Sequence, residues 1–182
     1  GLSIRQYFSG VWPAVQLAFV SRSSIGTLPL TQRVTERNLG VPREYASFAV
    51  PLGASIKMDG CGAIYPALAA VFISQYMGIG LSLNQYVIIA LASVLGSFGT
   101  AGVPGTAVIM ATVVISAAGL PLEGVALIAG IDRILDMMRT MTNVTGQMLV
   151  PVLVAKETGL LDREVYERAS SNVGVEEGEE SG

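Results

Sequence analysis

From Gly60 to Leu122 the chain carries not one Asp, Glu, Lys or Arg. A soluble fold of this size needs charge spread over its exterior, so an uncharged run of this length points to lipid, or to protein packed within lipid. Composition agrees: of 182 residues, 51% are hydrophobic and 14% charged, where soluble domains carry about a quarter charged. Mean hydropathy is +0.57. Backbone N–H and C=O groups at bilayer depth must be satisfied within the chain, so an all-α membrane protein is expected.

The apolar runs are short, which fixes how they are used. Tyr7 to Val20 is 14 residues long and stops at Ser21-Arg-Ser-Ser-Ile-Gly-Thr-Leu-Pro29; crossing a ~30 Å hydrocarbon core takes about 20 helical residues. Such an arm, a tip of Ser, Gly, Thr and Pro, and a returning arm read as a re-entrant helical hairpin over about residues 4–39. A second hairpin is expected over about 84–118, with its tip at Ser97-Phe-Gly-Thr-Ala-Gly-Val-Pro-Gly105. Between them, about 45–77, an apolar span is interrupted by Lys57-Met-Asp-Gly60. Two charges and a glycine at mid-span should unwind it and expose carbonyls able to hold a cation or a solute. The last helix, about 121–156, follows the second hairpin as the interrupted one follows the first, so two interrupted transmembrane helices and two hairpins form an inverted repeat.

Residues 1–158 are thus read as a membrane transport core, and 159–182 as an acidic, mostly disordered cytoplasmic tail containing Glu176, Glu177, Glu179 and Glu180. Arg33, Arg37 and Arg43 fall on the same side as Lys156 and Arg163, which by the positive-inside rule puts both ends in the cytoplasm of a multi-pass protein of the cell's inner (plasma) membrane. The start, Gly1-Leu-Ser-Ile, has neither an initiator Met nor a signal-peptide pattern, so the sequence is read as a carboxyl-terminal portion whose amino-terminal half is missing.

The last helix carries the chemistry. Asp132, Asp136, Arg139, Asn143 and Gln147 are separated by four, three, four and four residues, so they share one helical face. Charges at mid-bilayer cost roughly 2.5–3.5 kcal/mol each on insertion scales, so this face must meet protein, water or a ligand. A purely internal Asp136–Arg139 pair at i,i+3 is the competing reading. The absence of His and the single Cys61 disfavour zinc chemistry, His-dependent catalysis and any intramolecular disulfide. With a net charge of −3 and no basic patch, no nucleic-acid partner is expected.

Four segments, Ser21–Pro29, Lys57-Met-Asp-Gly-Cys61, Ser97–Gly105 and Asp132–Gly146, resemble in order the dicarboxylate/amino acid:cation symporter family, the glutamate transporter homologues. The resemblance covers nearly everything from Tyr7 to Lys156 and implies no enzyme activity, but secondary active symport of acidic amino acids or C4 dicarboxylates by an elevator movement against a scaffold. That scaffold would lie in the missing half, through which family members form homotrimers. The resemblance implies substrate contacts at Ser24, Cys61, Val103, Gly105, Asp136, Arg139, Thr140 and Asn143. Asp136 would take an ammonium and Arg139 a carboxylate in a bidentate fork. It implies cation contacts at Gly53, Ser55, Lys57, Met58, Asp59, Ser97, Phe98, Thr100, Asn143 and Gln147. Arg22 and Asp132 would form a structural ion pair. No cofactor is implied beyond Na⁺ or H⁺ as coupling ion, and the partners are a small acidic solute and the bilayer.

Three positions depart from the family pattern: Lys57 where the family has Asn, Cys61 where it has Thr, and Gln147 where it has Asp. An ammonium has only donors and an amide oxygen carries no charge, so at least one sodium site is expected to be lost. Lys57 set against Asp59 would then act as a tethered cation, with fewer ions coupled or protons in their place. Rival readings are an intramembrane aspartyl protease, though its Gly-x-Gly-Asp element is missing, a passive anion channel, and an inactive fragment without its scaffold.

Overall fold

The computed structural model describes residues 1–168, and among them there are helices and no strands. The part of the expected acidic tail from residue 169 onward, with its four glutamates, lies outside the described residues. Helix α1 (Ile4–Ser21) turns at residues 22–27 into α2 (Leu28–Arg37), which starts with Pro29 in its first turn. Proline suits that position because its missing N–H would have had no intrahelical partner. Next come α3 (Arg43–Ile56), a non-helical step at Lys57 and Met58, a π-helical segment (Asp59–Ile64) and α4 (Tyr65–Tyr76).

Helix α5 (Leu83–Gly99) opens with a capping box, in which Ser82 Oγ accepts the Gln85 N–H and Gln85 Oε1 accepts the Ser82 N–H. A turn at residues 100–105 leads to α6 (Thr106–Ala117); Gly105 holds φ 88° there, a left-handed conformation that glycine adopts without cost. The chain then makes a 3₁₀ turn (Leu122–Gly124), a short helix α7 (Val125–Ala129) and the long α8 (Asp132–Glu157). The last helix was expected to run from about 121; instead it is broken at Gly130 and Ile131, so Asp132 stands in its first turn. Acidic residues favour that place, where they meet the positive end of the helix dipole.

Two apolar clusters hold these pieces. One joins α1, α2, α3 and α8 through Val11, Ala14, Ala18, Val34, Ala46, Val144, Met148 and Val152. The other joins the π-helix, α4, α5 and α6 through Cys61, Ala70, Ile73, Ile89, Ala111, Val114 and Ile115. Both are rich in Ala, which lets helix axes approach closely where lipid supplies no hydrophobic drive. Outside them Trp12, Phe48, Leu68, Phe72, Leu91, Leu95, Ile109 and Ile134 stand exposed. The stretch Arg43–Tyr76, 34 residues, is the one described helix long and apolar enough to cross a membrane; Leu83–Gly99 and Thr106–Ala117 are apolar but shorter.

The short final helix α9 (Arg163–Glu167), capped by Asp162, returns to the first: Tyr166, 2% exposed, donates its hydroxyl to the Ser3 carbonyl at 2.9 Å. Burial pushes the Tyr166 phenol above its ordinary pKa, which keeps it a neutral donor.

The two turns meet. Ile25 N–H and Ser23 Oγ both donate to the Gly102 carbonyl, at 3.3 and 3.2 Å, so each turn helps satisfy the other's backbone. The π-helix is threaded between α5 and α8, and a Cβ on Gly62 would come within 2.5 Å of Ser97 Cα and 2.8 Å of Ser97 N. Backbone cannot yield there as a flexible side chain can. Gly62→Ala should therefore cost about 1–3 kcal/mol, read as a lower melting temperature in detergent, while Gly99→Ala, with nothing within 4 Å, should leave it unchanged.

Candidate functional site

Helix α8 turns its polar face inward: Asp136 is 3% exposed, Arg139 6%, and Asn143 and Gln147 1% each. The guanidinium of Arg139 is the hub. Its Nη1 donates to Asp132 Oδ1 at 2.8 Å and its Nη2 to Asp136 Oδ1 at 3.0 Å. It also lies 4.0 Å from the ring centroid of Tyr65, whose hydroxyl donates to Asp132 Oδ1 at 3.1 Å. One cation thus serves two carboxylates and a ring face, with charge-assisted bonds holding it in a single orientation. Removing one partner from such a buried arrangement costs about 3–5 kcal/mol because the other charge is left uncompensated.

The pairing differs from expectation in one respect. Asp132 was expected to meet Arg22, but its carboxylate is engaged by Arg139 and Tyr65, and Arg22 serves as the left-handed C-cap of α1, with φ 56°. Asp132 and Arg139 stand seven residues apart on one helix, a two-turn spacing that a long guanidinium side chain bridges without any second element.

Asn143 joins α8 to the π-helix. Its Oδ1 accepts the N–H groups of Gly60 and Cys61, at 2.7 and 3.3 Å, and its Nδ2 donates to Cys61 Sγ at 3.1 Å. A π-helical start leaves N–H groups without intrahelical acceptors, and this amide supplies one. Gly60 is needed there because a Cβ would run into the Arg139 backbone. Thr140 Oγ1 donates to its own helix, to the Asp136 carbonyl at 2.8 Å.

Further along, the Lys57 ammonium pairs with the Asp59 carboxylate, and Gln147 Nε2 donates to the Lys57 carbonyl at 3.3 Å. The Gly53 carbonyl accepts the Lys57 N–H at 2.9 Å, and the Ser97 carbonyl accepts that of Met58 at 3.4 Å. Thr100 is buried with its hydroxyl on the Gly96 carbonyl, Ser55 is exposed and bonds Pro51, and Phe98 is 61% exposed. The structure gathers Lys57, Asp59, Gly53, Met58, Ser97 and Gln147 around the break after α3, and Phe98 lines the same cavity as Lys57, Asp59 and Gln147; at Ser55, Phe98 and Thr100 the expected contacts are main-chain carbonyls, which these side-chain positions do not decide. Ser24 is 2% exposed in the first turn, whereas Val103 and Gly105 lie at the exposed edge of the second.

Among the described residues Ser24 Oγ, Arg139 Nε and Gln147 Oε1 are buried without a hydrogen-bond partner. Buried polar atoms in that condition are rare in native proteins and are where an enclosed water, an ion or a ligand pairs. A cavity of about 180 Å³ lined by Gly60, Tyr65, Leu135, Met138, Arg139 and Thr142 opens beside the hub. Another, of about 450 Å³, runs past Tyr45, Phe48, Leu52, Val94 and Phe98 to Lys57, Asp59 and Gln147. Tyr65 was not singled out from the sequence. The available signal was its position six residues after Asp59, as the aromatic at the start of an apolar helix that an arginine on α8 could face.

A sequence profile describing the sodium:dicarboxylate symporter family matches residues 1–157. The chain belongs to that family. Relatives include the L-cystine uptake protein TcyP of Bacillus thuringiensis (strain Al Hakam), 37% identical over 175 residues, covering 96% of this chain and 38% of that protein. Excitatory amino acid transporter 2 of Homo sapiens is 41% identical over 140 residues, covering 77% of this chain and 24% of that protein. The chain thus spans well under half the length of the relatives it matches. Membership makes it a membrane-protein sequence.

Asn143 is the joint between the two parts of the site. Asn143→Ala should speed amide hydrogen exchange at Gly60 and Cys61 and lower stability by about 1–3 kcal/mol, while Asn143→Asp, which keeps the acceptor, should slow that exchange back toward the parent rate.

Proposed function

We propose that the chain forms the substrate-carrying core of a secondary active symporter for acidic amino acids or C4 dicarboxylates. The observation that carries this reading is the buried hub: Asp132, Asp136 and Arg139 held in an otherwise apolar assembly, beside a cavity and with Arg139 Nε left unpartnered. Ions at such a place are costly to bury, and a charged solute is what makes use of them.

The hub gives binding by exchange. A solute carboxylate takes the Nη2 and Nε edge of Arg139, displacing Asp136, and the solute's ammonium takes the released Asp136 carboxylate. No charge is left bare at any stage, because each lost internal contact is replaced by one to the solute. Asp132 and Tyr65 keep hold of Nη1 and the ring face, so the guanidinium stays aimed while its other edge changes partner. Ser24, buried and unpartnered in the first turn, supplies a further donor for a main-chain carboxylate. An amino acid fits this exchange in full; a dicarboxylate without an ammonium fits one half of it. The relatives named for cystine uptake and excitatory amino acids make cystine and glutamate the solutes to compare with aspartate and succinate.

The two helix pairs meeting at Ser23, Ile25 and Gly102 act in this reading as re-entrant hairpins that close the path on either side of the hub. The core moves as a unit against a scaffold formed by further residues of the same protein, which assembles as a homotrimer in the inner membrane with the carboxyl end in the cytoplasm. Coupling is to Na⁺ or protons through the break at Lys57–Asp59, where Lys57 and Gln147 alter the cation set.

The test is uptake into vesicles holding the full-length protein, with sodium and proton gradients imposed separately. Aspartate, glutamate or cystine should accumulate above the outside concentration under at least one gradient; accumulation of none of them under either would overturn the reading. Arg139→Lys, which keeps the charge and loses the fork, should weaken apparent affinity for a carboxylate solute by about 10- to 100-fold, the equivalent of one charged hydrogen bond.

A further inference from the structure

Coupling to cations, as read above, requires groups that hold a cation, and the break between α3 and the π-helix is where such groups converge. The carboxylate of Asp59 stands at the start of the π-helix, three residues beyond the end of α3. The carbonyl of Lys57 belongs to the non-helical step and is turned toward α8, where Gln147 Nε2 meets it at 3.3 Å. Gln147 is 1% exposed, and its Oε1 is buried with no partner among the described residues. A carboxylate and the main-chain carbonyl of an unwound step are groups that a monovalent cation takes.

A cation is already there. The Lys57 ammonium lies against the Asp59 carboxylate, and both press on α8 at Gly146, where an added Cβ would stand 2.5 Å from Asp59 Oδ2 and 2.6 Å from Lys57 Nζ. The glycine thus makes room for the pair as one body. The pair's side chains are 28% and 36% exposed, along the cavity of about 450 Å³, so the place is reachable from outside. Surface ion pairs of that exposure hold weakly by themselves. What sets this one apart is its place: the two side chains, two residues apart at the unwound step, are held together against Gly146 of α8.

We propose that the Lys57 ammonium is a permanent resident of a monovalent-cation place, neutralising Asp59 as a dissolved ion would, and that a neutral residue at 57 opens this place to free Na⁺. An ammonium carries the same single charge as Na⁺ and donates where Na⁺ accepts. Because it travels with the protein, it contributes nothing to the ion flux. The consequence for flux rests on the proposed symport; the occupancy of the place does not, and can be tested by equilibrium binding.

The experiment uses the purified full-length protein and its Lys57→Asn, Lys57→Gln, Lys57→Arg and Lys57→Asn/Asp59→Asn variants, titrated with NaCl against choline chloride while melting temperature is followed. A ligand that binds the folded state raises stability by mass action. Lys57→Asn and Lys57→Gln should gain a Na⁺-dependent rise that the parent lacks, Lys57→Arg should behave as the parent, and the double variant should lose the gain. In vesicles the sodium dependence of uptake by Lys57→Asn should steepen by about one ion relative to the parent. An identical Na⁺ response in parent and Lys57→Asn would overturn the proposal, as would a gain that survives in the double variant. If Lys57→Asn and Lys57→Gln are recovered folded only in sodium, the proposal is supported; if neither folds in sodium or choline, it is overturned, since a free ion should then have replaced the tethered one. Failure of uptake with the binding pattern intact would count against the proposed symport alone.

Discussion

The structure depends on keeping one guanidinium inside an apolar assembly. Arg139 is 6% exposed and is held by Asp132, Asp136 and the ring of Tyr65. A positive charge there is tolerable only because two carboxylates and a ring face replace the water it lost. Around it two helices are broken. α8 begins at the hub itself, with Asp132, and the span opposite passes from α3 through a two-residue step into a π-helix.

Those breaks are stabilised by side chains rather than left bare. Asn143 supplies the acceptor for two N–H groups of the π-helix, Gly60 and Gly62 let that segment lie directly on α8 and α5, and Gln147 meets the Lys57 carbonyl. Irregular backbone survives at membrane depth under this condition alone, with protein or enclosed water as its partner. In the proposed function, the same side chains that hold the break stand where a solute and a cation pass. Fold and function share one set of polar groups, and the orphaned atoms on Ser24, Arg139 and Gln147 are the part of the set that the fold itself leaves unsatisfied.

The meeting of the two turns has a similar logic. Gly102 presents its carbonyl to Ser23 and Ile25 of the first turn, and its missing side chain keeps Met58 and the Ala54 carbonyl close. The second turn thus lies on both the first turn and the break. A rearrangement of that turn would be felt at Met58, next to the Lys57–Asp59 pair, through direct packing.

How much of this was legible follows from the range of each interaction. The all-helical class, the polar face of α8 and the interruption at Lys57–Asp59 are written in the sequence, because they depend on local hydropathy and on the helical period linking Asp132, Asp136, Arg139, Asn143 and Gln147. The turn between α1 and α2 falls within Ser21–Pro29 for the same reason: glycine, proline and small polar residues act locally. Other features were decided only when elements met. Asp132 took Arg139 and Tyr65 instead of Arg22, since partner choice depends on which side chains packing brings within reach. The restart of Asp59–Ile64 as a π-helix requires the Asn143 amide from a helix more than eighty residues away, as the Gly60 and Cys61 bonds show. The exposed edge at Val103 and Gly105 depends on how the second turn settles on the first. Local periodicity determined which groups are polar and on which face; tertiary packing alone determined which of them satisfy one another and which remain open to a ligand, because a hydrogen bond exists only at contact distance.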